Sequence, residues 1–366
     1  MKPRPDRTWC DIDLAALRHN VRFIRRQPGC GGGLLGVVKA NAYGHGLLPI
    51  ARALEEAGAS WLGTANLEEA LALRSGGIRL PILLLSAALP GEVAEIVRQG
   101  FTFTWSNEKE VRDASRAAAK VGRSAQGFLK IDTGMGRLGC FDHEASRLLE
   151  RCRRLPGIEC LGLSTHFAGA DEDLGFAKVQ RRAFAPWLRL GLPYHTSNSA
   201  ATLRTLHPSA CFARVGLALY GCSPLPAFQR HLRSVLTWKA RITNIRTFPA
   251  TWPISYGSTY RTKPGERLAV LAVGYGDGLF RALGGRGHVL VRGIRCPIRG
   301  RVTMDQTMID VSRVPTVRPG DTVTLIGTSG TKSIRVEEMA AWVGTIPYEI
   351  WTHIQGRVPR RIRGER

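Results

Sequence analysis

The 366-residue sequence predicts an α/β fold: an N-terminal (β/α)8 barrel followed by a C-terminal, mostly antiparallel β domain. Three observations predict it. Between residues 34 and 220, eight apolar or β-branched runs of strand length alternate with segments of helical spacing. From about Trp238 the texture changes to short alternating strands split by Gly and Pro. The length exceeds one compact core of ordinary size and suits a large barrel with a smaller second domain.

In order, the strand-like "RTWCDID" comes first, and Asp13 is placed to cap a helix with Leu14, Leu17, Val21 and Ile24 on one face. The eight runs are then "LLGVVK" (34–39), "WLGTA" (61–65), "PILLLS" (81–86), "FTFTW" (101–105), "GFLKID" (127–132), "IECLGLSTHF" (158–167), "YHTSNS" (194–199) and "CFARVGLALY" (211–220). Segments such as "NLEEALALRSGG" and "SNEKEVRDASRAAAKVG" open on Asn or Ser and close on Gly, as helices between strands should. After the Pro-containing linker "CSPLPAFQRHLRS" come "TWKARITNIRTF", "RLAVLAVGYGDG", "HVLVRG", "PIRGRVTMDQTMIDVS" and "DTVTLIG", which read as strands. The expected division is residues 1–13 as an N-terminal strand on the β domain, 14–236 as the barrel and 237–366 as the β domain.

Composition removes several classes of function. No stretch approaches about 18 uninterrupted apolar residues, which excludes a membrane-spanning helix. The start, "MKPRPDRTWCDIDL", has basic residues without an apolar run behind them, so a cytoplasmic location is expected. The eight cysteines are scattered without a CxxC pair or zinc-finger spacing, so they are read as reduced packing thiols, and no metal site is expected. A net charge of +23 invites a nucleic-acid reading, but the basic residues are mostly arginines spread along the chain rather than a stripe interleaved with aromatics. The charge then means solubility and a field that attracts phosphates and carboxylates. The densest cluster, "RVPRRIRGER" from Arg357 to Arg366, is read as a solvated tail.

Two glycine patterns mislead. Gly31, Gly33 and Gly36 form a GxGxxG that precedes its strand, whereas a dinucleotide fingerprint must follow one. Gly134, Gly136 and Gly139 follow a strand but open no helix and enclose Arg137. Lys39 is the sharper signal. It is placed at the end of the first barrel strand, and barrel active sites lie at the C-terminal strand ends. "STHF" sets His166 at the end of the sixth strand, "HTSNSAA" sets Ser199 at the end of the seventh, and "ARVGLALYG" sets Arg214 and Gly216 on the eighth. A buried arginine is costly unless paired. A lysine, a histidine, an arginine and a Ser/Gly loop are thus expected to face one pocket.

These residues resemble a known family. "VVKANAYGHG" looks like the pyridoxal phosphate attachment motif of the alanine racemases. "LKIDTGMGRLG", "STHFAGADE", "NSAA", "ARVGLALYG", "SYGSTY", "VGYGDG", "GRVTMDQTMIDV" and "RVPRR" follow in the family's order and spacing. The resemblance implies a pyridoxal 5'-phosphate barrel, and a homodimer in which each barrel mouth is completed by the partner's β domain. It implies that Lys39 forms the Schiff base with the cofactor and that Tyr43, Ser199, Gly216, Leu217 and Tyr348 hold its phosphate. Arg214 would face the pyridine nitrogen and His166 would lie beside the ring. Tyr275 would be the second catalytic base, supplied by the other subunit. Arg137 and the backbone amide of Met304 would hold the substrate carboxylate, with Asp305 next to Met304. Lys130 resembles a lysine that is carbamylated in many relatives to orient that arginine. The substrate implied is alanine, and the product D-alanine would supply peptidoglycan.

The implied chemistry explains these residue types. Racemisation removes a proton from one face of Cα and returns one to the other, so two bases must flank it. An arginine at the pyridine nitrogen only donates, which leaves that nitrogen without its own proton and weakens the ring as an electron sink. That favours racemisation over transamination, and it suits a decarboxylase poorly. Tyrosine, with an ordinary pKa of about 10, must be activated; lowering it by about 2–3 units takes roughly 3–4 kcal/mol. One cationic or strongly hydrogen-bonding neighbour at about 4 Å supplies that order, and His166 backed by Arg214 is the expected source. Two other readings stay open. A racemase of broader specificity is disfavoured by "HFAGADE" and Tyr348, which match the small-substrate racemases. A non-catalytic pyridoxal phosphate carrier, of the single-barrel kind, would lack the β domain with "VGYGDG" and "MDQ".

Overall fold

The computed structural model describes residues 6–206 and 212–364. They divide into two compact units: one of Ala16–Ala42 and Gly46–Arg233, the other of the chain up to Ala15, Tyr43–His45 and the chain from Ser234. Strand β1 (Thr8–Asp13) belongs to the second of these.

In the first unit β2 (Leu34–Val37), β3 (Trp61–Thr64), β4 (Ile82–Leu84), β5 (Thr102–Trp105), β6 (Ala125–Lys130), β7 (Ile158–Ser164), β8 (Tyr194–His195) and β9 (Ala213–Val215) form one parallel sheet. Its order is β8-β7-β6-β5-β4-β3-β2-β9, a nearly closed eight-stranded barrel. At the seam between β8 and β9, the Arg214 amide donates to the Ser197 carbonyl at 2.8 Å. Strands covered on both faces need unbroken apolar runs, and Leu34, Leu35, Leu62, Leu83 and Leu129 are accordingly fully buried. Gly127 has a packing reason: a Cβ there would come 2.5 Å from the indole of Trp105, itself fully buried. The helices between strands start and stop where the sequence indicates. Asn66, Asn107 and Asn198 cap the helices Leu67–Ser75, Glu108–Val121 and Ser199–Leu203 through their side chains. Gly100 and Gly122 end theirs in the left-handed conformation.

The strands are shorter than the apolar runs, and this moves several residues off them. β2 stops at Val37, so Lys39 lies two residues past the strand and not at its last position. β7 stops at Ser164 and β8 at His195, which puts His166 in the loop that follows and Ser199 at the start of a helix. Arg214 is on β9, whereas Gly216 follows it. The physical reason is common to all: a barrel strand needs only enough length to cross the core, and the residues beyond it turn outward to build loops. Cys211, the first residue of the eighth run, lies outside the described residues, as do Met1–Pro5 of the N-terminal segment and Glu365 and Arg366 of the tail.

The second unit is built on β10 (Leu236–Thr247), which is antiparallel to β1. The small hairpin of β11 (Pro253–Ile254) and β12 (Tyr260–Arg261) precedes β13 (Arg267–Leu271). There follow β14 (His288–Val291), β15 (Ile294–Pro297), β16 (Thr307–Asp310), β17 (Thr322–Ser329), β18 (Lys332–Ile334) and β19 (Arg360–Arg363). The main path is β15-β14-β17-β10-β1-β19, and β1 with β19 is its one parallel pair. Among the described residues no helix is long and apolar enough to cross a membrane.

Candidate active site

The loop after β2 carries Lys39 into an unusual backbone. Ala40, Asn41, Ala42 and Tyr43 all have φ between 52° and 54°, a left-handed turn without a glycine in it. Such a conformation costs about 1–2 kcal/mol per residue for side-chain-bearing residues, so neighbouring groups must hold it. The Ala42 amide donates to the Val38 carbonyl at 2.7 Å and the Gly46 amide to the Asn41 carbonyl at 3.0 Å. The Asn41 side chain accepts from the Leu47 amide at 2.8 Å, and the Asn41 amide donates to a Glu69 carboxylate oxygen at 2.9 Å. At the strand itself, the Tyr220 hydroxyl donates to the Val37 carbonyl at 2.8 Å. Burial, and then the Arg137 guanidinium, hold the Lys39 amine below the ordinary lysine range, with Glu69 acting the other way. A partly buried lysine with a lowered pKa is a competent nucleophile toward a carbonyl carbon.

Arg214, only 6% exposed, is the hub of the barrel's polar layer. Its Nη1 donates to Nδ1 and to the carbonyl oxygen of His195. Its Nη2 donates to the carbonyls of Thr165 and Thr196, at 2.9 and 3.2 Å, and to His166 Nδ1 at 2.8 Å. Guanidinium has no acceptor, so both imidazoles must present a lone pair at Nδ1 and carry their proton on Nε2. Burial, followed by Arg214, pushes both histidines well below their ordinary pKa, in keeping with two neutral rings. His195 also stacks on Phe212 at 4.8 Å and meets Phe128 edge-on at 4.5 Å. It therefore joins the aromatic barrel floor to the charged layer.

Lys130, the last residue of β6, is brought down to about 8 by burial and then by Arg214 and Arg137. Arg137 sits in a loop shaped by Asp132, whose carboxylate accepts from the amides of Gly134, Met135 and Gly136, each at 2.8 Å. Lys39, Lys130, Arg137 and Arg214 all lower the pKa of His166, which places four cationic groups around one histidine. Nearby the Ser199 hydroxyl accepts from the amides of Gly216 (3.3 Å) and Ala218 (3.4 Å). Backbone amides converging on a buried oxygen, in a field this positive, suit a phosphate or carboxylate group. Among the described residues no cluster of His, Cys, Asp and Glu could hold a metal ion.

The remaining predicted residues belong to the other unit. Tyr275 and Met304 lie on adjacent loops: the Tyr275 amide donates to the Thr303 carbonyl and the Gly276 amide to the Met304 carbonyl, both at 2.9 Å. Arg357 ties the same loops, donating to Asp277 at 2.7 Å and to Asp305 at 2.8 Å. Tyr43 and Tyr348 meet edge-on at 5.4 Å. Burial, then Tyr348, raises the Tyr43 pKa, so its hydroxyl stays protonated and able to donate.

Comparison with known proteins matches two family models in sequence. Residues 12–224 fit the alanine racemase N-terminal domain and residues 235–362 the alanine racemase C-terminal domain. The chain belongs to the alanine racemase family. An alanine racemase of Methylacidiphilum infernorum is 41% identical, over 99% of this chain and 94% of the relative. One of Halothermothrix orenii is 40% identical, over 98% and 97%. Among solved structures, the alanine racemase of D-cycloserine-producing Streptomyces lavendulae superposes with a TM-score of 0.92 at 37% identity, covering 99% of this chain and 98% of that one. The Bacillus anthracis alanine racemase with bound L-Ala-P gives 0.89 at 38% identity, covering 99% and 96%. The family makes the chain an isomerase of the racemase class. Three further residues, His195 and Asp132 in the barrel unit and Arg357 in the other, hold predicted residues in place without standing out in the sequence. His195 is marked there only as the one ring-nitrogen residue on the seventh strand, and Asp132 as an acid shortly before a Gly-rich loop. Arg357 lies in the basic tail motif and is exposed, and it also pairs with Asp277 and Asp305, tying two loops together.

Proposed function

We propose that the chain interconverts L- and D-alanine with pyridoxal 5'-phosphate, using Lys39 of one subunit and Tyr275 of the partner subunit as the two bases. The observation that carries this reading is the neutral His166 held by Arg214 among Lys39, Lys130 and Arg137, a cationic site that contains an amine of lowered pKa. The donor set fits the cofactor. Arg214 would face the pyridine nitrogen with its guanidinium, and Ser199 with the amides of Gly216 and Leu217 would supply donors for the phosphate, a role the family pattern also gives to Tyr43 and Tyr348. Bound there, pyridoxal phosphate makes the Cα proton of an amino acid removable by delocalising the electron pair left behind.

The chain's own groups do the rest. Lys39 would anchor the cofactor between turnovers, and its Nζ would move the Cα proton on one face. Tyr275 of the partner subunit moves it on the other. His166, with Nδ1 occupied by Arg214, has its Nε2–H to offer the oxygen of the partner subunit's tyrosine. Arg137 and the Met304 amide take the substrate carboxylate, with Asp305 beside them. A Lys130 amine with a pKa of about 8 is neutral often enough near neutral pH to add carbon dioxide, which supports a carbamate that orients Arg137.

One observation supports the division of labour between copies. Among the described residues, six of the ten exposed large apolar side chains, Trp252, Tyr256, Tyr275, Met304, Ile346 and Tyr348, belong to the second unit. In this reading residues 14–236 bind the cofactor, and residues 237–366, with the strand in 1–13, complete the site of a second copy. D-alanine made in the cytoplasm would enter peptidoglycan.

The test is conversion of L-alanine to D-alanine by the purified protein, followed by chiral chromatography after removal and re-addition of pyridoxal phosphate, with serine, lysine and arginine alongside. Alanine should racemise only with the cofactor and faster than the others. Equal rates across the panel would replace this reading with a broad-specificity racemase, and cofactor binding without racemisation would replace it with a carrier.

A further inference from the structure

Glu69 and Glu110 occupy the same place in two barrel helices, and their difference is informative. Each is the third residue of a helix capped by an asparagine, Asn66 or Asn107, whose side chain accepts from the glutamate's own amide. In each, one carboxylate oxygen accepts the amide of the residue before the cap: Ala65 at 3.3 Å and Ser106 at 2.6 Å. A glutamate at this position ordinarily serves its own helix start. The second oxygen of Glu110 does so, accepting from the Asn107 side chain at 2.9 Å. The second oxygen of Glu69 instead leaves its helix and accepts the Asn41 amide at 2.9 Å, in the left-handed turn directly after Lys39.

We infer that Glu69 is a positioning residue for Lys39, its carboxylate clamping the left-handed turn to the end of β3 and serving as the counter-charge to the lysine amine. The clamp addresses the difficulty that turn poses. Ala40, Ala42 and Tyr43 have no local reason to adopt positive φ, and the Asn41 amide points to a group 28 residues away for its partner. Electrostatically, Glu69 opposes Arg137 at Lys39, and His166 is the other titratable group facing the amine. Glu69 thus tunes the residue that the proposed function makes anchor and base, and this inference rests on that reading.

Three variants test it: Glu69→Ala removes both acceptors and the charge, Glu69→Gln keeps one acceptor without the charge, and Glu110→Gln repeats the isosteric change in the other helix. Pyridoxal phosphate is titrated into cofactor-free protein by visible absorbance at a series of pH values, and the midpoint of the free Lys39 amine is read from the pH dependence of binding. Glu69→Ala should weaken cofactor binding by about 10-fold or more and Glu69→Gln by less. Both should move the Lys39 midpoint about one unit to lower pH, since the neighbouring anion is gone. In turnover kcat should fall while KM for alanine changes little, because Glu69 is assigned no substrate contact. Glu110→Gln should leave the cofactor titration and the midpoint unchanged. If Glu69→Gln keeps wild-type cofactor affinity and the wild-type midpoint, or if Glu110→Gln shifts them equally, the inference is overturned, even where Glu69→Ala fails to fold. A wild-type protein that neither binds pyridoxal phosphate nor racemises alanine would instead sink the function on which it rests.

Discussion

Lys39→Ala is expected to lose both the visible absorbance of bound pyridoxal phosphate and turnover. The lysine has two roles in the proposed reaction, cofactor anchor and proton-transfer group. Loss of a positioned acid or base alone typically costs about 10²–10⁴-fold, so the combined loss should stand at the upper end of that range or beyond. The fold should survive. Lys39 is only partly buried, and the turn that follows is held by backbone and Glu69 contacts that do not involve its side chain. Circular dichroism should therefore be unchanged while a gel-filtered sample stays colourless. A variant that retained covalently bound, reducible cofactor would move the anchor to another amine, and Lys130 would be the candidate because its pKa is also lowered.

Tyr275→Phe should separate the two faces of the reaction. The hydroxyl is lost, but the ring, its backbone bonds to the Met304 loop and the Arg357 clamp remain. Cofactor absorbance should be retained. Two enantiomers in achiral solvent have equal free energy, so kcat/KM must fall by the same factor in both directions, on the order of 10²–10⁴ for a missing acid or base. The asymmetry appears in isotope exchange. In deuterium oxide, the enantiomer whose Cα proton faces Lys39 should still exchange it, whereas the enantiomer that faces the tyrosine should stay unlabelled. Equal labelling of both enantiomers would show that one base reaches both faces.

Much of this is legible in the sequence because barrels repeat a simple signal. Each strand is an apolar run and helices such as those after Asn66 and Asn107 open on a capping residue, so the eight units can be counted from residue pattern alone. The residues at the strand ends are also recognisable, since Lys39, His166 and Arg214 interrupt apolar runs where an unpaired charge is costly. Their local geometry is not. Four non-glycine residues in a left-handed turn have no compositional mark, so the apolar run carries Lys39 onto β2 when the strand ends at Val37. His195 is hidden by its dual character, being both a ring in the aromatic floor and the acceptor of Arg214. Glu69 reads as an ordinary helix-start glutamate, and only the fold shows that half of its carboxylate serves a residue in the turn after another strand. Long-range hydrogen bonds of this kind depend on which elements become neighbours, which spacing within one segment cannot reveal.

In the proposed reaction one site takes a base from each of two copies, and mixed dimers distinguish this from a site built by one chain. Lys39→Ala and Tyr275→Phe chains are co-expressed with different tags, and the heterodimer is isolated by two affinity steps. One of its sites then carries both defects and the other carries neither, because the intact Lys39 and the intact Tyr275 come from different chains. The heterodimer should show about half the wild-type specific activity in racemising L-alanine, although each parent is nearly inactive. A heterodimer as inactive as its parents would place both bases on the same chain and contradict the shared site.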